Sequence, residues 1–157
     1  MTTSKIAAQK GGRADYLINA YETGRAMYQE DLKYTKTHEW VKLYKNHIAR
    51  VGVTEHAQSQ FGKVLFVELP EIDGEHEQFD AFVVIEAEKM LSEVYAPLSG
   101  KIVEVNEELD EDPTLINHDP YGDGWLVEFD ISHLDEMKNL MDYDEYQHFL
   151  AEGGDDD

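Results

Sequence analysis

The chain contains no cysteine, which excludes disulfides, thiolate catalysis and cysteine-ligated metal sites. Any redox role must therefore come from a bound cofactor. No apolar run is long enough to span a bilayer as a helix. No glycine-rich phosphate loop, nucleophile elbow or basic–aromatic stripe occurs, and the seven histidines form no pair at helical ligand spacing. Basic residues are also scarce: 13 against 34 acidic ones, for a formal net charge of −21. Such a surface repels nucleic acid and anionic membrane, and it favours fast, salt-sensitive encounter with basic partner surfaces. Solubility or adaptation to salt produces the same composition, so charge alone does not choose. The deficit is uneven. Residues 1–32 balance Lys5, Lys10, Arg13 and Arg25 against Asp15, Glu22, Glu30 and Asp31, so the whole excess lies beyond them.

What is present fits one domain with a real core in 157 residues. Residues 1–13 are small, polar and basic and read as disordered, and Asp15 to Leu32 carries a helical pattern weakened by Gly24. From Lys33 the rhythm becomes strand and turn. Trp40–Tyr44 and Ile48–Val53 read as strands about a Lys45-Asn46 turn, and Thr54 caps a short helix ended by Gly62. Val64–Leu69 is a strand stopped by Pro70, followed by an acidic loop through Asp80. Lys101–Asn106 and Trp125–Phe129 are further strands, separated by an acidic connection over Glu107–Asp112. Ser132 and Asp135 outline a capping box before Leu134, Met137, Leu140 and Met141, and Asp142–Leu150 reads as a second short helix. Residues 152–157 are an acidic tail. Gly62-Lys63-Val64-Leu65-Phe66-Val67 is echoed by Gly100-Lys101-Ile102-Val103-Glu104-Val105, which suggests a β-fold with two related halves.

The segment Val83–Gly100 places Lys89 between two strand-like runs, Val83–Ile85 and Val94–Ala96, with Pro97 closing the second. The connection is short enough for a hairpin tip, so Lys89 is expected to stand on a rigid turn, fully in solvent. A free amine on a four-carbon stem suits covalent attachment of a cofactor that must swing. A lysine flanked by Glu86, Glu88 and Glu93 is also what an ordinary solvated surface charge looks like. Asp119, Asp123, Gly124 and Asp130 outline a loop of EF-hand type. Tyr121 stands at its third position and a strand occupies its later ligand places, so it reads as a turn with no metal.

Taken together, residues 33–151 resemble the H protein of the glycine cleavage system. The blocks that carry the resemblance are Lys33-Tyr34-Thr35, Thr37-His38-Glu39-Trp40-Val41, Val51-Gly52-Val53-Thr54-Glu55-His56-Ala57-Gln58 and Phe66-Val67-Glu68-Leu69-Pro70. Tyr95-Ala96-Pro97-Leu98-Ser99-Gly100, Val103-Glu104-Val105-Asn106 and Pro120-Tyr121-Gly122-Asp123-Gly124-Trp125 follow in the same order. The resemblance implies a mainly β barrel-sandwich hybrid of the lipoyl/biotinyl type with C-terminal helices, preceded here by residues 1–32 as an extension with an extra helix. It implies no catalytic residue, and lipoate held covalently on Lys89. Thr37, Glu39 and Glu93 would line a cleft for the aminomethyl-bearing arm, and Glu86 would serve recognition by the lipoyl-attaching enzyme. The implied partners are that enzyme, a pyridoxal-phosphate glycine decarboxylase, a tetrahydrofolate-dependent aminomethyltransferase and dihydrolipoamide dehydrogenase. Nucleic acid and membrane are not among them.

The chain departs from the family pattern at the attachment site. Glu86-Ala87-Glu88-Lys89 replaces the usual Glu-Ser-Val-Lys, Met90 follows the lysine as in biotinyl carriers, Glu93 replaces Asp, and Thr37 replaces the common Ser. Two alternatives follow: a lipoyl donor to other complexes, and a non-lipoylated acidic interaction module on the same scaffold. The first 13 residues lack acids and carry Lys5, Lys10 and Arg13, as in a transit peptide, but arginine is sparse and Asp15, Glu22, Glu30 and Asp31 follow. The expected setting is therefore the bacterial cytoplasm, with the mitochondrial matrix as the alternative.

Overall fold

The structure is a computed structural model that describes residues 29–44 and 47–154. The helix expected over Asp15–Leu32 lies largely outside the described residues; within it, Gln29–Asp31 form a 3-10 turn. The Lys45-Asn46 turn and residues 155–157 also lie outside them. The chain divides into two compact units between Asp31 and Leu32.

The described residues of the second unit form nine strands. A six-stranded antiparallel sheet has the order β1 (Lys33–Tyr34), β2 (Glu39–Tyr44), β3 (Ile48–Val53), β9 (Val127–Ile131), β8 (Gly100–Val105) and β5 (Glu75–His76). A three-stranded antiparallel sheet has the order β4 (Val64–Glu68), β6 (Ala81–Ala87) and β7 (Leu91–Tyr95). β-Branched residues dominate the inward positions, as pleated strands favour: Val41, Val51, Val53, Val64, Val67, Val83, Ile85, Val94, Ile102 and Val127 form one buried cluster with Leu98, Leu126 and Phe129. Both sheets feed this core, so the fold is mainly β with two sheets closing on each other.

Capping chemistry sets the helices. In α1 (Glu55–Phe61), the Thr54 side chain accepts from the Ala57 N–H, and Gly62 ends the helix at φ 74°. In α4 (Tyr143–Ala151), Asp142 and Glu145 form a reciprocal capping box. The box expected at Ser132 and Asp135 is absent. Ser132 Oγ contacts His133 Nδ1 instead, and Leu134–Asn139 is a 3-10 segment without a side-chain cap. The strand expected over Trp125–Phe129 begins two residues later, because Asn106 Nδ2 donates to the Asp123 and Trp125 carbonyls and holds that stretch as a turn. Two four-residue turns of helix, α2 (Glu108–Glu111) and α3 (Leu115–His118), occupy what the sequence presents as connection.

The echoed Gly-Lys segments become β4 and β8, one in each sheet. Both carry a register shift at the matching place, between Val64 and Phe66 and between Ile102 and Glu104.

Candidate functional site

Lys89 lies in the three-residue connection between β6 and β7 and is exposed. The tip is held from below. Ala87 N donates to the Met90 carbonyl at 3.0 Å, Lys89 N to the Phe61 carbonyl at 3.0 Å, and Glu88 N to the Lys63 carbonyl at 2.9 Å. A turn fastened to a second segment of chain fixes the direction in which its side chain leaves the surface. The lysine is not free along its whole length: a Cβ placed on Gly62 would lie 3.1 Å from Lys89 Cγ. Its stem therefore rests over the glycine that ends α1, and only the far part of the side chain projects.

Beside the hairpin is a cavity of about 120 Å³ whose lining includes Thr37, Glu39, His56, Phe61, Met90 and Glu93. All three residues expected at a cleft thus line one space, and Phe61 and Met90 join it to the lysine turn. The chain places Glu39 there as the first residue of β2. It is 1% exposed, makes no ion pair among the described residues, and is satisfied by three donors. Thr35 and Thr37 donate their hydroxyls to Oε1, the latter at 2.6 Å, and Tyr95 N donates to Oε2 at 2.9 Å. Burial pushes the carboxyl up to about 7, and the hydroxyl and amide donors only partly offset it. Because the Tyr95 amide can only donate, the proton of the neutral form sits on Oε1, facing hydroxyls that can rotate to accept it. Glu93 is exposed on β7, and the Tyr95 hydroxyl donates to it at 3.3 Å.

His38 and His56 flank the same cavity with ring centroids 4.4 Å apart. His38 Nε2 is 2.9 Å from the Gly154 carbonyl and Nδ1 is 2.7 Å from the Tyr146 hydroxyl. A carbonyl only accepts, so Nε2 donates, and in the neutral ring Nδ1 accepts from Tyr146. Tyr146, whose hydroxyl burial pushes well above the ordinary range, in turn contacts Thr54 Oγ1 at 2.9 Å. The C-terminal helix is thereby tied to the floor of the cavity. The threonine donors to Glu39 are its sequence neighbours, but its contact with Tyr95 and the His38–Tyr146–Thr54 chain join residues distant along the sequence and have no local signal there.

Glu86 stands on the exposed face of β6, opposite Phe66 on one side and Leu91 on the other. A larger concavity of about 880 Å³, lined by charged residues such as Glu75, Lys101, Asp130 and Glu136, includes no residue of the lysine hairpin. No group of side chains placed to hold a metal occurs among the described residues, and Asp119–Gly124 is a turn in which Asp119 Oδ2 accepts from Asp123 N.

A rigid two-sheet β domain that presents one lysine at a hairpin tip, beside a cleft with an apolar wall and a carboxylate end, defines a swinging-arm cofactor carrier. A family model for the glycine cleavage H-protein matches residues 32–153. The glycine cleavage system H protein of Thermotoga maritima is 52% identical over 120 residues, which cover 76% of this chain and 96% of that protein. Its counterpart from Symbiobacterium thermophilum is 49% identical, over 78% of this chain and 95% of the relative. The crystal structure of a glycine cleavage system H protein from Mycobacterium marinum superposes with a TM-score of 0.69 at 32% identity, covering 78% of this chain and 98% of that one. The chain belongs to the glycine cleavage H-protein family. It is a carrier and not a catalyst, its cofactor is lipoate held covalently on a lysine, and it works with the other components of glycine cleavage.

Proposed function

We propose that Lys89 is the lysine that carries lipoate, and that Thr37, Glu39 and Glu93 receive the loaded end of the arm. One observation carries this reading: Lys89 is exposed at a hairpin tip whose backbone is bonded to Phe61, and Phe61 and Met90 line the cavity that contains the buried Glu39. Lipoate supplies the sulfur chemistry when attached, and the protein supplies attachment, presentation and electrostatics. At about 120 Å³ the cavity suits the end of an arm and not a whole cofactor. Val53, Ala57, Phe61 and Val94 give it an apolar wall, and Glu39 offers an acceptor to an amine. A cation entering there would favour the ionised carboxylate and draw the proton off Oε1.

The specific partners in this reading are the pyridoxal-phosphate glycine decarboxylase that loads the aminomethyl group and the aminomethyltransferase that removes it. Dihydrolipoamide dehydrogenase and the lipoyl-attaching enzyme, which uses Glu86, complete the set. Tethering lets one arm visit several active sites without release, because a linked group acts at a raised effective concentration. The carrier domain spans 33–151, and its setting is the bacterial cytoplasm, in keeping with bacterial relatives and no described helix long and apolar enough to cross a membrane.

The test is Lys89→Arg, which keeps the charge and blocks acylation. In a reconstituted glycine cleavage assay the expected outcome is complete loss of glycine-dependent activity with an unchanged melting temperature. Full activity in the variant would contradict the assignment. It would place the arm on a different lysine.

A further inference from the structure

The three-stranded sheet turns an unexpected face to solvent beside Lys89. In β4 the pattern Val64-Leu65-Phe66-Val67 is buried, exposed, exposed, buried. The cause is a bulge: Val64 pairs with Ala87 and Phe66 with Glu86, which leaves Leu65 as the extra residue. Leu65 and Phe66 thus both point outward, 48% and 55% exposed. On β7, Leu91 is 69% exposed, and Met90 in the turn is 43%. The register lines up Phe66, Glu86 and Leu91 in one row across the three strands, and Glu68, Val84 and Glu93 in the next row on the same face.

The backbone does not require apolar residues there. The matching strand β8 bulges at the matching place, and there the residue equivalent to Phe66 is the exposed Glu104. The same geometry thus accepts a charge in one half of the molecule and carries an aromatic in the other. Exposed apolar residues that cluster and are rimmed by polar ones, as here by Glu68 and Glu93, mark an interaction site.

We infer that the row Phe66–Glu86–Leu91 is the docking surface for the enzyme that acylates Lys89, and that it fits a partner face with a cationic side chain set between apolar ones. This rests on the reading of Lys89 as the attachment lysine. Three observations select that occupant. The face carries Glu68, Glu86 and Glu93 among its apolar residues, which complements a basic partner. The tip is bonded to Phe61 and Lys63, just before β4, so a partner gripping β4 and β7 also fixes the position of Lys89. The row lies only about 10 Å from the lysine along the strands. An attaching enzyme must bring its acyl carbon to Nζ itself, whereas partners of the loaded carrier meet the far end of the arm. In the attachment step the amine displaces AMP from an activated lipoyl group. The N–C amide bond forms, the C–O bond to AMP breaks, and the protons of the amine pass to solvent.

The experiment uses the full unmodified chain, an ATP-dependent lipoate ligase, lipoate and ATP, with acylation followed by intact mass. Phe66→Ser/Leu91→Ser is expected to raise KM about tenfold with kcat within twofold, the behaviour of a lost docking contact. Glu86→Lys is expected to do the same and to flatten the dependence of the wild-type rate on salt. Val103→Ser in the matching strand serves as the control and leaves both constants unchanged. A Lys89→Arg chain is expected to inhibit acylation of the wild type, and to stop inhibiting once Phe66→Ser/Leu91→Ser is added. Wild-type modification at Lys89 with the double variant within twofold in kcat/KM would overturn the docking surface and leave the lysine assignment standing. A wild-type chain that gains no mass on Lys89 would overturn both.

Discussion

The two Gly-Lys strands begin with the same pattern and end with different tasks. Gly62 has φ 74°, and its missing side chain makes room for the stem of Lys89. Gly100 has no such conformation. A Cβ there would lie 2.4 Å from the Asp130 carbonyl oxygen and 2.9 Å from Ile131 Cα, so it permits β8 and β9 to pair closely. The following bulge faces solvent with Leu65 and Phe66 in one copy and with Val103 and Glu104 in the other. One half of the repeat is a presentation device and the other is a load on the main sheet. Duplicated backbone geometry fixes where a strand bends, and side-chain choice then decides what the bend displays.

Substitutions that treat the two halves alike should give unlike results. The largest difference is expected at the lysines: Lys89→Arg abolishes cofactor attachment, while Lys101→Arg, an exposed change in β8, leaves it at the wild-type level, both read by intact mass. Gly100→Ala is expected to cost about 3 kcal/mol in urea denaturation, because the new methyl meets backbone that cannot step aside. Gly62→Ala should cost about 1–2 kcal/mol, from the left-handed φ and a contact that a flexible lysine stem can yield. Equal losses at the two glycines would break the distinction.

Glu39 gives a pH-dependent version of the same contrast, since it joins β2 of the large sheet to Tyr95 of the small one. Below about pH 4.5 the carboxyl is protonated folded and unfolded, and it contributes no difference. Between there and about 7, the folded carboxyl retains a proton that the unfolded chain has lost, so stability falls as pH rises. Above about 7 the cost is constant, on the order of 3 kcal/mol. Glu39→Gln does not titrate, so its stability relative to wild type should rise between pH 5 and pH 8 in matched denaturation curves. A difference independent of pH would contradict the raised pKa. The smallest effect is expected for Phe66→Glu, which copies the residue at the matching position in β8 and should change stability by no more than about 0.5 kcal/mol.

Much of this fold was legible because its signals are local. The hydroxyl of Thr54 and the backbone freedom of Gly62 mark the ends of α1, Ile48–Val53 reads correctly as the strand returning from the Lys45-Asn46 turn, and Lys89 falls in a short gap between strands. The bulge in β4 was hidden because an unbroken Val-Leu-Phe-Val run reads as a continuous strand and carries no local sign of an extra residue. Only pairing with β6 shows that two of those residues turn outward. The false capping box at Ser132 had the right residue spacing, but the hydroxyl turned to a neighbouring histidine and the stretch formed a 3-10 segment. Glu39 sits in the segment that carried the family resemblance, yet its burial depends on Tyr95 and the two threonines closing over it. The family resemblance implied a carboxylate in the cleft, and tertiary packing raises its pKa.

The most direct test of the account is intact-mass analysis with peptide mapping on the protein isolated from its native cells. A lipoyl or octanoyl mass is expected on the peptide containing Lys89 and on no other lysine. A bare Lys89 in cells whose other carrier proteins are lipoylated, or the modification on a different lysine, would contradict it.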